Sequence, residues 1–286
     1  MPSPGRDPAR PEAPLVFFAL AFAFIVPFWV LGELTARALL PGLPVAALAT
    51  ACPAAAALVC VHRERGRVGV TALLRRAFDV RRVTSKWWYV PAVLLMPAVM
   101  ALSFVVLRLI GTPVPPPTIK VLPMLLLTVV FFVAALGEEL GWSGYATDPL
   151  QQRWGALRAA LLLGLVWAVY HFVGLAQAHR SVSWIAWWSI GTVAARVIMV
   201  WLYNRMGHSV FAATLFHTMI NVTWQLFPVN GSYYDPRVTG LILALVAVIV
   251  VVLFGAPSRA SAAGRAPAAT GSTPAGCGRP PGAGSR

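Results

Sequence analysis

The sequence predicts an all-α fold, a polytopic membrane bundle of about eight transmembrane helices. Hydrophobic residues make up 58% of the 286 residues and charged residues only 11%, whereas about a quarter of the residues in a soluble domain are charged. Apolar runs recur along the chain and are separated by basic or proline-rich loops. Runs of about 20 apolar residues have the length that a helix needs to cross a bilayer.

The first apolar run, Pro14 to Leu34, is predicted to be an uncleaved membrane span. A cleaved signal peptide is the alternative, because Ala36-Arg37-Ala38 has a small-x-small pattern, but the run exceeds the usual apolar core of about 7 to 15 residues. The other spans are predicted at about residues 43–61, 87–110, from 121 through the acidic pair 138–139, 156–175, 184–203, 209–226 and 239–254.

The basic residues predict the orientation of this bundle. An even number of spans places both termini on one side, and the segments of that side hold seventeen Lys and Arg residues against four on the other. Because basic loops stay in the cytoplasm, we expect a multi-pass protein of the cell membrane with both termini cytoplasmic. Residues 1–13 and 256–286 are predicted to be disordered cytoplasmic ends of a membrane-embedded domain at 14–255. The composition, rich in Ala, Arg, Pro and Gly, favours a bacterial source.

Charge and cysteine content exclude two other classes of protein. The net charge of +14 does not indicate a nucleic-acid partner, because the basic residues lie between apolar runs and no DNA- or RNA-binding motif accompanies them. Cys52, Cys60 and Cys277 show no CxxC or Cys/His spacing. Neither a disulfide framework nor a cysteine zinc site is therefore predicted.

Two adjacent carboxylates, Glu138 and Glu139, follow a run from Val121 to Leu136 that contains no charge. A charged side chain at bilayer depth costs about 2.5–3.5 kcal/mol on insertion scales, so such residues usually face a partner, a cavity or a functional site. Adjacent helical residues point about 100° apart. We therefore expect one carboxylate to face a cavity and the other to hold a neighbouring group.

Two pairs of residues in later spans have helical i, i+4 spacing: Trp167 with His171, and His217 with Asn221. Such pairs lie on one helix face, one turn apart. Any one of these polar residues alone is more often an interhelical hydrogen-bonding residue than a catalyst, and the acidic pair alone could be a partner for Arg196 in the sixth span. Together, among almost no other ionisable groups, they favour a hydrolytic centre within the bilayer.

Peptide-bond hydrolysis needs a base for water, donors for the oxyanion and a proton for the leaving amine. Glu138 or Glu139 can act as the base and then as the acid, and His171 can orient the water or take its proton. His217 and Asn221 can direct two N–H donors to one oxygen. Two His and a Glu can instead bind a catalytic metal, although no HExxH spacing is present, so the cofactor is left open between none and a divalent metal such as zinc.

The depth of these residues along their helices sets a geometric requirement. If span four ended at Leu140, Glu138 would lie at the cytoplasmic edge, whereas His171 would lie about 22 Å into the next span at 1.5 Å per residue. The two meet only if the helix continues past Tyr145, or if a water-filled funnel brings the site toward the cytoplasm. Asp148-Pro149 is typical of an N-cap followed by a first-turn proline, so a helix break is predicted there.

These motifs resemble those of the CPBP family of intramembrane proteases, which includes the type II CAAX prenyl endopeptidases and the bacterial Abi and bacteriocin-processing proteins. The family is marked by EExxxR, FxxxH and HxxxN/D on successive membrane helices. Here Glu138-Glu139 match the first motif, Trp167 to His171 match the second with Trp for Phe, and His217 to Asn221 match the third. The matching motifs lie within residues 137–221, and Ser143 stands where the first motif has Arg.

The resemblance implies an eight-helix membrane endopeptidase with a cytoplasm-facing cavity, in which Glu138 activates water, His171 assists, and His217 and Asn221 stabilise the oxyanion. The implied partner is a peptide or protein substrate at the lipid bilayer, including prenylated CAAX-like substrates. Ser143 leaves one alternative, a weakened relative that acts as an immunity or binding protein, unless Arg196 replaces the missing Arg. A proton-coupled transporter is disfavoured, because no inverted repeat is evident.

Overall fold

The computed structural model describes residues 14–35, 38–40 and 42–254, and the predicted disordered ends, residues 1–13 and 256–286, lie outside them. The described chain forms the helices α1 Leu15–Thr35, α2 Cys52–Arg75, α3 Tyr89–Leu109, α4 Val121–Gly141, α5 Thr147–Trp154, α6 Ala156–Gln177, α7 Val182–Arg205, α8 Val210–Leu226 and α9 Pro236–Phe254. A small antiparallel hairpin, β1 Ala38–Leu40 and β2 Leu43–Pro44, precedes a 3-10 helix at Val45–Ala51 that leads into α2.

The predicted all-α membrane bundle is confirmed. Seven helical segments of the described chain are long and apolar enough to cross a membrane, and α4 and α5 together count as one of them, Val121–Trp154. α8 is a shorter helix of 17 residues at the position of the predicted seventh span. The protein is therefore a multi-pass membrane protein, because helices of this length and composition bury their backbone polar groups within the bilayer.

α7 is the central helix of the bundle. Every residue from Ala194 to Tyr203 is buried, and the helix packs against α6, α8 and α9. Arg196 lies within this stretch and is 0% exposed. An arginine at the centre of a membrane bundle must find its partners among neighbouring side chains, because neither water nor lipid can solvate it there.

α4 packs closely against the start of α2 through two glycines one turn apart, Gly137 and Gly141. A Cβ atom on Gly137 would lie 2.7 Å from the carbonyl oxygen of Thr50, and one on Gly141 would lie 2.7 Å from Cβ of Pro53. Small residues at i, i+4 spacing let two membrane helices approach to backbone contact. This contact fixes the position of the acidic pair, which lies between the two glycines.

We expect Gly141→Ala to lower the free energy of unfolding by about 1–3 kcal/mol, because the added methyl group overpacks a contact with backbone atoms. Thermal unfolding of the purified protein in detergent measures the change. Gly174→Ala is the matched control, since a Cβ there would meet its nearest side-chain atom at 3.8 Å, an ordinary van der Waals distance. Equal unfolding temperatures for the two variants would contradict the close contact.

The helix that carries the acidic pair does not break at Asp148-Pro149, so that prediction is wrong. α4 continues through a π-helical turn, Trp142–Ala146, directly into α5. Pro149 is tolerated because it lies in the first turn of α5, where a backbone N–H is not needed. The helix therefore continues past Tyr145, which meets the geometric requirement set by the depths of Glu138 and His171. π-helical turns occur frequently at functional sites.

Candidate active site

Glu138 is almost completely buried, at 4% exposure, and two indole groups hold its carboxylate. Trp167 Nε1 donates to Glu138 Oε2 over 2.7 Å, and Trp142 Nε1 donates to the same oxygen over 3.3 Å. The other oxygen, Oε1, lies 3.9 Å from His171 Nε2. Two N–H donors on one oxygen fix the orientation of the carboxylate.

His171 is held in one orientation by its own helix. Its Nδ1 lies 2.7 Å from the carbonyl oxygen of Trp167, one turn earlier. Because a carbonyl only accepts, Nδ1 carries the hydrogen, and Nε2 of the neutral ring is left as an acceptor that faces Glu138 Oε1. Both facing atoms are acceptors, and their separation of 3.9 Å is too long for a direct hydrogen bond. A water molecule between them can donate one O–H to each.

Glu139 has a different environment from its neighbour. It is 0% exposed, and Arg196 holds it in a bidentate pair through NH1 at 2.9 Å and NH2 at 3.0 Å. His217 Nδ1 donates to it over 2.9 Å, and Ser143 Oγ donates to it as well. The two adjacent carboxylates therefore face different surroundings, as the helical geometry predicts. Glu138 lines the cavity, and Glu139 binds neighbouring side chains.

Arg196 supplies a guanidinium to the acidic pair in a chain whose first motif has Ser143 in place of Arg. Its guanidinium comes from α7 rather than from the next turn of α4, where Ser143 contributes a hydroxyl to the same carboxylate. The guanidinium also lies over the ring of Trp167, with Cζ 4.2 Å from the ring centroid. A buried bidentate pair of this kind compensates the charge of Glu139 within the bilayer.

His217 and Asn221 line the same cavity as Glu138 and His171. The hydrogen bond from His217 Nδ1 to Glu139 determines what the opposite ring nitrogen can do. In the neutral ring Nε2 is an acceptor, so His217 can donate toward an oxyanion only as an imidazolium. Asn221 offers an amide N–H donor in any protonation state of the histidine. The prediction that both residues direct N–H donors to one oxygen therefore applies only to the imidazolium form of His217.

The cavity has a volume of about 450 Å³, which lies within the range of small-ligand and peptide-side-chain pockets. Apolar and aromatic side chains of α1, α3, α4, α6, α7, α8 and α9 form most of its wall. Its polar groups include the four cavity-lining candidates, Glu138, His171, His217 and Asn221. A carboxylate and two imidazoles in an otherwise apolar cavity can carry proton-transfer chemistry on a bound substrate.

The donor set does not match a metal site. Among the residues that the structure describes, no three His, Cys, Asp or Glu side chains lie close enough together to hold a metal ion. Glu139, which would complete such a set, already binds Arg196 through both oxygens. The side chains of the described residues therefore do not form a ready metal site.

Two residues of this site, Trp142 and Trp167, have roles that the sequence did not predict. The motif pattern treats Trp167 only as a substitute for the Phe of the second motif, and it assigns no role to Trp142. Both are buried and both donate to Glu138. The i, i+4 spacing of Glu138 and Trp142 could have predicted this contact, because a buried indole N–H normally finds an acceptor.

We expect Trp167→Phe to lower kcat/KM for peptide cleavage by about tenfold to hundredfold, because it removes a charge-assisted hydrogen bond of about 1.5–3 kcal/mol to Glu138. The phenyl ring keeps an aromatic face toward Arg196, so the protein should still fold, with an unfolding temperature lowered by the loss of this buried hydrogen bond. Trp154→Phe, at a residue that is 41% exposed and outside the cavity wall, should leave the rate unchanged. An unchanged rate for Trp167→Phe would show that this N–H does not matter.

Comparison with known proteins supports the resemblance drawn from the motifs. A family model described as "Type II CAAX prenyl endopeptidase Rce1-like" matches residues 120–223, which include all the site residues named above. The chain is also 27% identical over 200 residues to CAAX prenyl protease 2 of Methanococcus maripaludis, a match that covers 62% of this chain and 70% of the relative. Both matches support a protease of the CAAX prenyl endopeptidase type.

Proposed function

Since the chain is related to the type II CAAX prenyl endopeptidases of the CPBP family, we propose that it hydrolyses peptide bonds within the membrane through a water molecule activated by Glu138 and His171. One observation carries this proposal. Glu138 Oε1 and His171 Nε2 face each other over 3.9 Å at the wall of the cavity. This is the geometry in which two acceptors can hold one water molecule between them.

In the first step Glu138 takes a proton from the water, and the water oxygen forms a bond to the carbonyl carbon of the peptide. The indole donors leave Glu138 Oε1 free for this proton, because both of them bind Oε2. His171 holds the second O–H of the water through Nε2, so that the oxygen lone pair points into the cavity. Positioned proton transfer of this kind contributes about 10²–10⁴ in rate.

The carbonyl oxygen becomes an oxyanion in the tetrahedral intermediate. Asn221 donates its side-chain N–H to this oxygen, and His217, whose Nδ1 bonds to Glu139, contributes when it is an imidazolium. The intermediate then collapses: the C–N bond breaks, and the proton held by Glu138 passes to the leaving amine. Glu139 and Arg196 take no part in bond changes and position His217.

The proposed substrate is a peptide or protein at the membrane, including one with a prenylated CAAX-like end. The relative from Methanococcus maripaludis carries the name of a CAAX prenyl protease, and the apolar wall of the cavity suits an apolar chain. No metal or other cofactor enters the proposed reaction. The alternative, an inactive immunity or binding protein, was motivated by Ser143, and the contact of Arg196 with Glu139 supports the enzyme over it.

The test is cleavage of a farnesylated CAAX-type reporter peptide by the purified protein in lipid nanodiscs, where both faces of the membrane are accessible. Mass spectrometry identifies the products, and nanodiscs with the Glu138→Ala variant serve as the blank. The proposal expects cleavage by the wild type only. Cleavage by neither sample, together with an unaltered cellular phenotype of Glu138→Ala, would instead support the binding or immunity protein, and equal cleavage by both would rule out Glu138 as the base.

A further inference from the structure

A basic segment, residues 62–86, joins the membrane-spanning part of α2 to α3 and carries eight Lys and Arg residues. At Gly66 the backbone has φ 59° and ψ −155°, a conformation that glycine adopts far more readily than other residues. The chain therefore changes direction at this point. The part that follows consists of the last helical turns of α2 and of 3-10 turns at Arg76–Phe78, Val80–Arg82 and Lys86–Trp88.

One face of the basic segment packs against the ends of the membrane helices. Leu73 and Ala77, about one turn apart, are both buried on this face. Arg76 donates to the carbonyl oxygen of Gly144 over 2.6 Å and to Tyr203 Oη over 2.6 Å. These bonds hold the segment against the π-helical turn that follows α4 and against the last turn of α7, both of which belong to membrane spans. The basic segment therefore lies beside the membrane surface.

The opposite face of the basic segment exposes apolar and basic side chains next to one another. Val68, Leu74 and Phe78 are 81%, 46% and 69% exposed. Leu74 and Phe78 are about one helical turn apart, and Arg67 lies two turns before Leu74 on the same stripe. Such a face is typical of a segment in the membrane interface, where apolar side chains reach the boundary of the acyl chains and cations stay among the headgroups.

The positive charge of this face is not compensated by carboxylates of the protein. Between residues 62 and 86 only Glu64 and Asp79 are acidic, and each accepts hydrogen bonds from another part of the bundle. Within the described part of the chain, no ion pair includes the exposed arginines Arg67, Arg75 and Arg81. Anionic groups from outside the protein can therefore bind these guanidinium groups without displacing an internal partner.

We propose that this face of the basic segment binds the headgroups of anionic phospholipids. Clusters of Lys and Arg next to a membrane span attract anionic lipids, and phosphate oxygens accept hydrogen bonds from guanidinium groups. The exposed apolar side chains Val68, Leu74 and Phe78 supply the contact with the acyl chains that a soluble anion lacks. None of these residues lines the cavity, so the inference does not depend on the proposed function.

The inner face of the basic segment connects the lipid site to a helix of the active site. Asp79 accepts from Ser209 Oγ over 2.7 Å and from the backbone N–H of Phe211 over 3.1 Å, and it thereby caps the start of α8. α8 carries His217 and Asn221. A ligand that binds only the folded state raises its stability, so bound anionic lipid should stabilise the protein where α8 begins.

Native mass spectrometry of the purified protein measures lipid binding, with phosphatidylglycerol compared with phosphatidylcholine. The double variant Arg67→Gln with Arg75→Gln should bind phosphatidylglycerol at least about tenfold more weakly than the wild type does. Arg153→Gln with Arg158→Gln is the matched control, because it removes two exposed arginines outside the basic segment, and it should bind like the wild type. Equal losses in both double variants, or equal affinity of the wild type for both lipids, overturn the proposed site.

Thermal unfolding in nanodiscs tests the effect of the lipid on stability. Nanodiscs of phosphatidylcholine with phosphatidylglycerol should raise the unfolding temperature of the wild type by about 2–4 °C over nanodiscs of phosphatidylcholine alone. The rise should be lost in Arg67→Gln with Arg75→Gln and kept in Arg153→Gln with Arg158→Gln. Because each variant is compared with itself in two lipids, a stability change caused by the substitutions does not enter the result. An equal rise in the wild type and in both double variants contradicts the proposed site.

Discussion

Replacement of Glu138 by glutamine is expected to lower kcat by about 10²–10⁴, because an amide cannot take a proton from water. Glutamine keeps the shape of the side chain, and its carbonyl oxygen can still accept from Trp142 and Trp167. The fold should therefore be retained, with an unfolding temperature close to that of the wild type. Steady-state cleavage of the reporter peptide in nanodiscs measures the rate, and thermal unfolding in detergent measures the stability.

Glu64→Gln is the matched control for this variant. The side chain of Glu64 is also buried, at 8% exposure, and accepts a hydrogen bond from Tyr145 over 2.5 Å, but it lies outside the cavity wall. Its replacement should leave kcat within about twofold of the wild type, the range expected for a residue away from the reacting atoms. A Glu138→Gln variant that is folded and as active as Glu64→Gln would rule out the proposed base.

Arg196→Met should destabilise the protein by about 3–5 kcal/mol, the usual cost when one partner of a buried ion pair is removed. Glu139 would be left as an uncompensated carboxylate at 0% exposure, and Trp167 would lose the cation over its ring. The expected result is a large fall in unfolding temperature and a low yield of folded protein. Arg158→Met, at an exposed position at the start of α6, should change the stability by less than about 0.5 kcal/mol.

The double variant Arg196→Met with Glu139→Gln distinguishes lost charge compensation from lost packing. Removal of both charges leaves no buried ion, so the double variant should recover much of the stability that Arg196→Met loses. Activity should stay low, because the double variant lacks the ion pair that positions His217 and the cation over the ring of Trp167. A double variant less stable than either single variant would mean that packing of the arginine side chain, rather than its charge, stabilises the site.

The membrane spans could be predicted from the sequence, because a segment within lipid must form a helix that satisfies its own backbone hydrogen bonds. Such helices carry apolar side chains, which hydropathy detects. Helical spacing was sufficient to predict that Glu138 and Glu139 face different groups. The helix break at Asp148-Pro149 was predicted wrongly, because the local signals of an N-cap and a proline also fit the first turn of a helix that continues from a π-helical turn.

The sequence offered the acidic pair as a partner for Arg196 but could not show which carboxylate it binds, because that depends on how α7 approaches α4, a contact between residues far apart in the chain. The same holds for Trp142, whose indole meets Glu138 only because both residues are buried on one face.

A double-mutant cycle between Glu138 and His171 tests most directly whether both residues hold the same water. The rates of Glu138→Gln, His171→Ala and the double variant are measured with one reporter peptide in nanodiscs. Residues that act on one water give strongly non-additive losses, so the double variant should be about as slow as Glu138→Gln alone. Losses that multiply, or wild-type turnover by the double variant, would contradict a single water held between the carboxylate and the imidazole.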